Sequence, residues 1–347
     1  MSSPAPAGEV CDIRARDLVR GDLPAPLGSL FSSPAWIAML EATYGFEVRA
    51  STLVADGRCV AAIPYAVVDD IRGRRVLSLP FSDYCDPLVG DAAAWERLVA
   101  PLRRLGAPLR LRCLRNSLPL ADGHLAKTGE ALWHGVDLRR DEEAIWAGLD
   151  PSARQNVRRA QRAGVRIREG RSLDDLAAFH AMHRHVRKAK YRLLAQPFRM
   201  LEAMHDAFGE RVRVLLAEID GRPVAGILFL IDADTLFYKF NASVELPQRP
   251  NDLLAWEGLR LGRRLGLGLF DFGLSDPAQP GLVRYKRKFA TEERVISLLQ
   301  HVPVGYTDPR GAEVSKVLQR MTQLLTDPEV PDAITRQAGD ELYRFFA

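Results

Sequence analysis

The clearest pattern of apolar and polar positions lies between Arg211 and Gln300. RVRVLLAEI, VAGILFLI and TLFYKFNAS are apolar, β-branched or aromatic runs, separated by the turn signals Asp220-Gly221-Arg222-Pro223 and Asp232-Ala233-Asp234. They predict a three-stranded antiparallel meander. Strand side chains alternate between faces, so Leu236, Tyr238, Phe240 and Ala242 share one face and Lys239, Asn241 and Ser243 the other. A polar row on a central strand suggests a cleft. The following PQRPNDLLAWEGLRLGRRLG predicts a helix capped by Asn251 or Asp252, with Leu254, Leu261 and Leu265 on one face and Gly266 at its exit. LFDFG then reads as a short buried strand, SDPAQPGLVRYKRKF as a basic loop and EERVISLLQHV as a closing strand.

The same order occurs earlier in the chain. SSPAWIAMLEATYG predicts a helix with Ser33 at its cap, Pro34 at its first position and Gly45 at its exit. FEVRASTLVADGRCVAAIPYAVVDDIRGRRVLSLP follows as a meander, then the loop FSDYCDPLVG, the helix AAAWERLVAPLRRLG and strands at LRLRCL and LWHGVDL. The repeat is one of architecture. It divides the chain into a disordered start (1–11), a first α/β unit (12–149), a second (150–303) and a C-terminal helical segment (304–347) carrying GAEVSKVLQRMTQLL and PDAITRQAGDELYRFF. Within the second unit, Asp150 and Pro151 open a helix, and Ser172 with Asp175 forms a capping box.

A chain of 347 residues suits two cores better than one. No run approaches the roughly 20 apolar residues that a membrane span needs. The first ten residues show neither a basic start nor an apolar stretch, so the expected compartment is the cytoplasm. Cys11, Cys59, Cys85 and Cys113 lack paired spacing, and His180, His183 and His185 have no acidic or thiol neighbour to complete a ligand set, so no metal is expected. With a net charge of only +4, an anionic partner must be met by local patches.

YKFNAS, the Pro-Asn-Asp-Leu-Leu helix start, the Phe-Asp-Phe-Gly strand end, GLVRYKRKF and the R-x-x-V-R-R-A-x-x-x-G-V run after Asp150 together resemble the Fem-like family (FemA, FemB and FemX type) within the GNAT acyltransferase superfamily. The resemblance covers residues 30 to 303. It implies an α/β (α+β) fold of two tandem GNAT-like acyltransferase domains, each a mixed, mostly antiparallel sheet flanked by helices. It also implies an enzyme transferring an aminoacyl group from aminoacyl-tRNA to an amine acceptor, with peptidoglycan precursors as the family's acceptors. No tightly bound cofactor and no DNA partner are implied.

The alternative is an acyl-CoA-dependent N-acetyltransferase acting on a sugar or small-molecule amine. GNAT enzymes cradle the pyrophosphate of acetyl-CoA on backbone N–H groups of a glycine-rich turn opening a helix. Here that place reads Leu246-Pro247-Gln248-Arg249-Pro250-Asn251-Asp252, with no glycine, a proline lacking the donor and an aspartate that repels phosphate. The equivalent turn in the first unit carries Asp83, Asp86 and Asp91. Both turns favour a donor other than CoA.

By the resemblance, Lys286 stands in the family's F-K-x-x-F-G run (here YKRKFA) and holds the tRNA end and the developing oxyanion. Asp271 either orients the incoming amine or pins its loop. Arg284, Tyr285 and Lys288 make a basic surface with interleaved rings, suited to stacking on a single-stranded 3′ end or simply solvated. Tyr238 divides between core and site; Lys239 and Asn241 face the cleft. Arg154 and Arg158, with Arg162, form a stripe that either contacts phosphates or is a solvated face. Asp83 and Tyr84 line the acceptor cleft by the resemblance, or form a loop turn.

Overall fold

The computed structural model describes residues 8–18, 23–24, 27–243, 246–308 and 310–347. It comprises two compact units. One is formed by residues 1–131, 295–317 and 347, the other by residues 132–294 and 318–346.

The first unit contains β1 (Glu9–Arg14), α1 (Pro34–Tyr44), β2 (Val48–Ala55), β3 (Arg58–Asp70), β4 (Gly73–Leu77), α2 (Ala92–Arg103), β5 (Leu109–Cys113) and the short α3 (Leu118–Ala121). Glu9–Cys11, expected to be disordered, instead pair antiparallel with β2 as part of β1. Residues 1–7 lie outside the described residues. α1 begins as its sequence dictates: the Ser33 side chain accepts from the Trp36 N–H, and Gly45 closes the helix at φ 68°. The meander β2–β3–β4 is antiparallel throughout, whereas β4 meets β5 in parallel, at Val76↔Leu109 and Leu77↔Arg110.

The second unit repeats this plan. The chain enters it along β6 (Ala126–Asp137) and continues through α4 (Glu142–Gly148), α5 (Pro151–Arg162), β7 (Arg166–Gly170), α6 (Leu173–Ala189) and α7 (Phe198–Phe208). The expected meander follows as β8 (Val212–Ile219), β9 (Arg222–Asp232) and β10 (Thr235–Ser243). Then come α8 (Pro250–Arg264), β11 (Leu269–Ser275), α9 (Pro280–Arg287) and β12 (Glu292–His301), the last returning the chain to the first unit, where it pairs with β5. α10 (Gly311–Leu325) and α11 (Asp332–Leu342) complete the chain.

The strands of the second unit lie in the order β6-β11-β10-β9-β8-β7, with β10 and β11 its parallel pair. Each unit is thus a mixed, mostly antiparallel sheet flanked by helices. α8 can lie close on β9 and β11 because it carries Gly258, where an added Cβ would stand 2.7 Å from the Phe229 ring.

One expectation changes in kind. The basic stretch after β11 is a helix, α9, because Pro280 occupies a first-turn position and nothing between it and Arg287 breaks the turn. Its charges therefore spread around a cylinder: Arg284 and Arg287 are exposed while Lys286 is buried. The cap of α8 also differs. Arg249, in the left-handed region at φ 57° and ψ 46°, precedes Pro250 at the first position, so Asn251 and Asp252 lie inside the first turn.

Candidate active site

β10 and β11 pair only across Thr235–Phe237 and Leu269–Asp271, although β10 runs on to Ser243 and β11 to Ser275. Beyond Phe237 and Asp271 the two strands are no longer paired. Both carry irregularities there, between Tyr238 and Phe240 on one and between Asp271 and Leu274 on the other. Such bulges re-aim side chains where a ladder ends.

The β11 irregularity is built from two residues singled out in the sequence. Gly273 adopts φ 68° and donates its N–H to Asp271 Oδ1 at 2.6 Å. Lys286, only 3% exposed, reaches in from α9 and donates from Nζ to the carbonyls of Gly273 (3.1 Å) and Leu274 (2.8 Å). A buried ammonium needs such partners, and carbonyls spread by the kink supply them. Asp271 and Lys286 therefore meet at one kink of the backbone.

A second cluster lies on β10 and the start of α8. The Tyr238 and Tyr285 hydroxyls share a hydrogen bond, and Tyr285 donates to the Asn251 carbonyl at 3.1 Å. Asn241 Nδ2 donates to Asn251 Oδ1. Burial drives the acidity of both phenols down, pushing their pKa values above the ordinary range. Tyr238 thus belongs at once to the core, beside Phe229, Phe270 and Phe272, and to a polar chain running through α9 and α8.

Asp252 is the member that sequence reasoning undervalued. Its carboxylate is buried and accepts from Asn156 Nδ2 of α5 at 3.2 Å. Burial raises its pKa, which Asn156, Lys288 and Arg249 partly offset. The first turn of α8 thus already carries a buried acidic side chain. The matching helix of the first unit begins with Asp91 accepting from the Ala94 N–H at 2.9 Å.

The remaining sequence candidates are placed as follows. Lys239 is half-buried, its ammonium 5.6 Å from the centre of the Phe240 ring. Arg284 is exposed on α9, and the Lys288 carbonyl accepts from the Asp150 N–H that opens α5. Arg154 Nη1 donates to the Ala147 and Leu149 carbonyls, and Arg158 lies over the Trp146 ring at 5.5 Å, so both are held against α4. In the first unit, Tyr84 is fully buried edge-on to Phe31, and the half-buried Asp83 feels the charge of Arg112.

Two further features carry no local sequence signal. His134, fully buried on β6, has Nε2 2.9 Å from Glu293 Oε2, and Glu293 is itself clasped by Arg287 at 2.6 and 2.8 Å. Burial and the nearby Lys286 charge lower the His134 pKa against the pull of Glu293. On α6, His183 contacts the Asn241 carbonyl (3.3 Å) and Gln196 Oε1 (2.9 Å).

Burial lowers the His183 pKa from 6.5 to about 4. The unfolded chain then binds the extra proton, so this contribution is intact above pH 6.5 and is lost as pH falls towards 4. A difference of about 2.5 units corresponds to roughly 3 kcal/mol. Denaturant unfolding of the wild type should steepen in its pH dependence between pH 6.5 and 4, and His183→Gln should flatten that slope. An unchanged slope would mean that the imidazole protonates freely in the fold.

Residues 151–287 match the family model described as an acetyltransferase (GNAT) domain. This stretch has the GNAT-type acyltransferase fold. Among solved structures, FemX is similar at a TM-score of 0.65 and 12% identity, over 84% of this chain and 95% of that one. A tandem GNAT protein from the clavulanic acid biosynthesis pathway gives a TM-score of 0.52 at 15% identity, over 84% and 98% of the two chains. A C-terminal (DUF2156) domain from Agrobacterium fabrum, provisionally assigned to a lysylphosphatidylglycerol synthetase, gives 0.52 at 17% identity, over 84% and 92%. At these identities the likeness is one of fold. No curated protein matches the chain. No helix among the described residues is long and apolar enough to cross a membrane.

Proposed function

We propose that the protein transfers an aminoacyl group from aminoacyl-tRNA to an amine acceptor, a peptidoglycan precursor being the acceptor class that the Fem resemblance implies. The observation that carries this reading is the first turn of α8. A CoA pyrophosphate requires open N–H donors at that helix start. Here Pro250 has no N–H, and the buried Asp252 carboxylate stands in the same turn. The charged pyrophosphate of CoA would be repelled by that carboxylate.

An ester of tRNA makes smaller demands. Attack by an amine on such an ester is downhill, so the protein has to align the two reactants and stabilise charge on the ester oxygen. In this reading Lys286 and Asp271 set the geometry of the β11 kink beside the reacting carbonyl. Tyr238, Lys239, Asn241 and Tyr285 line the donor end, and Arg284 and Lys288 meet phosphates. Arg154 and Arg158 extend the basic surface along α5, and Asp83 and Tyr84 serve the acceptor.

The second reading, transfer from acetyl-CoA to a small amine, is favoured by the GNAT acetyltransferase match over residues 151–287. Calorimetric titration with acetyl-CoA separates the two. Binding weaker than millimolar is expected, and Asp252→Gly should strengthen it by opening the helix start. Micromolar binding to the wild-type protein would overturn the aminoacyl-tRNA assignment.

A further inference from the structure

A second concavity of this unit lies between α6 and α11, away from the strands just described. On α6, His180, Arg184 and Lys188 recur every four residues and so share one face; on α11, Asp332, Arg336 and Asp340 do the same. The two ladders line one cleft, floored by Ala195 and Gln196. α11 is held close because Gly339 packs on the Ala195 carbonyl, where an added Cβ would stand at 2.7 Å.

The end of one helix meets the start of the other. Lys188 Nζ donates to the Val330 carbonyl and, at 2.7 Å, to Asp332. At the opposite end, His180 is fixed by the Gln196 carbonyl at 2.8 Å and feels the charge of Asp340. Between these two ends lies a rung with Arg184 on one side and Arg336 on the other. Both guanidinium groups act electrostatically on His180, which places them in the same field. Arg184 Nε is shielded from solvent and has no hydrogen-bond partner among the described residues.

A shielded guanidinium Nε without an acceptor costs free energy until one joins it, and in this cleft Arg184, Lys188 and Arg336 outnumber the carboxylates of Asp332 and Asp340. Planar guanidinium groups favour oxygen pairs of carboxylate or phosphate. We propose that this rung is a binding site for a small molecule bearing a carboxylate or phosphate group, bridged between Arg184 and Arg336. The Lys188–Asp332 ion pair stands at one end of the cleft.

The proposal is tested on the full chain by calorimetry with inorganic phosphate and with succinate, each against sodium chloride at matched ionic strength. Saturable binding of one of them is expected, and the anion that binds identifies the class. Arg184→Gln and Arg336→Gln should each weaken it by roughly tenfold or more, the loss of a charge-assisted hydrogen bond. Arg336 is exposed on α11, so its variant keeps the test intact should Arg184→Gln fold poorly. Absence of saturable binding by either anion, or binding unaffected by Arg336→Gln, would overturn the proposal.

Discussion

Replacing Lys286 by Met should slow acyl transfer at saturating donor roughly a hundredfold, the scale of misplacing reacting groups by about 1 Å when the β11 kink relaxes. The same change should lower stability by about 2–4 kcal/mol, since the Gly273 and Leu274 carbonyls lose charge-assisted bonds inside the unit. The two effects are separable: unfolding midpoints report the second, and turnover measured well below the midpoint reports the first. Lys288→Met is the comparison. Its side chain is half-buried beside Asp150 and Asp252, so it should weaken donor binding in a salt-dependent way and leave the saturated rate nearly intact. A stability loss in Lys286→Met with the saturated rate preserved would reduce Lys286 to a pin for the β11 kink. Equal, small, salt-dependent effects from both substitutions would make α9 a purely electrostatic surface.

Asp86→Ala should destabilise the first unit by about 3–5 kcal/mol, among the largest losses that a single polar residue can produce. Oδ1 of this buried carboxylate accepts from three successive backbone N–H groups, Leu114, Arg115 and Asn116, each at 2.9 Å. Alanine leaves those buried and partly buried donors without their acceptor. Asp86→Asn retains an oxygen at that point and should stay within about 1 kcal/mol of the wild type. Urea unfolding of the three proteins checks both statements. An alanine variant as stable as the asparagine one would show that the 114–116 turn does not depend on this side chain. The burial that raises the Asp86 pKa favours a neutral side chain, in keeping with tolerance of Asn.

Features written in adjacent residues were legible in the sequence. Ser33, Pro34 and Gly45 bound α1, and Ser172 with Asp175 makes the capping box of α6, because caps are satisfied within a turn. The two meanders showed through apolar runs separated by turn signals, and a helix and a strand follow each of them as expected; the parallel pairing of those strands had no signal in the sequence.

What depends on distant partners was not legible. Whether Lys286 faces water or the β11 carbonyls is decided by the helical turn of α9, which a loop reading cannot give. Asp252 reads as an exposed first-turn acid until Asn156, 96 residues away, is brought to it. Glu293 and His134 stand on different strands with no shared local pattern. Arg154 and Arg158 read as a free stripe, yet one is held by carbonyls of α4 and the other by Trp146. The left-handed Arg249 breaks the usual preference for glycine at such a conformation, so no residue type announces it.

The measurement that bears most directly on the donor is binding of a fluorescent, aminoacylated tRNA acceptor stem, followed by anisotropy with acetyl-CoA as competitor. The proposed function predicts saturable binding that weakens steeply with salt, falls in Lys288→Met and is indifferent to millimolar acetyl-CoA. No saturable binding of the stem, or its displacement by micromolar acetyl-CoA, would contradict it.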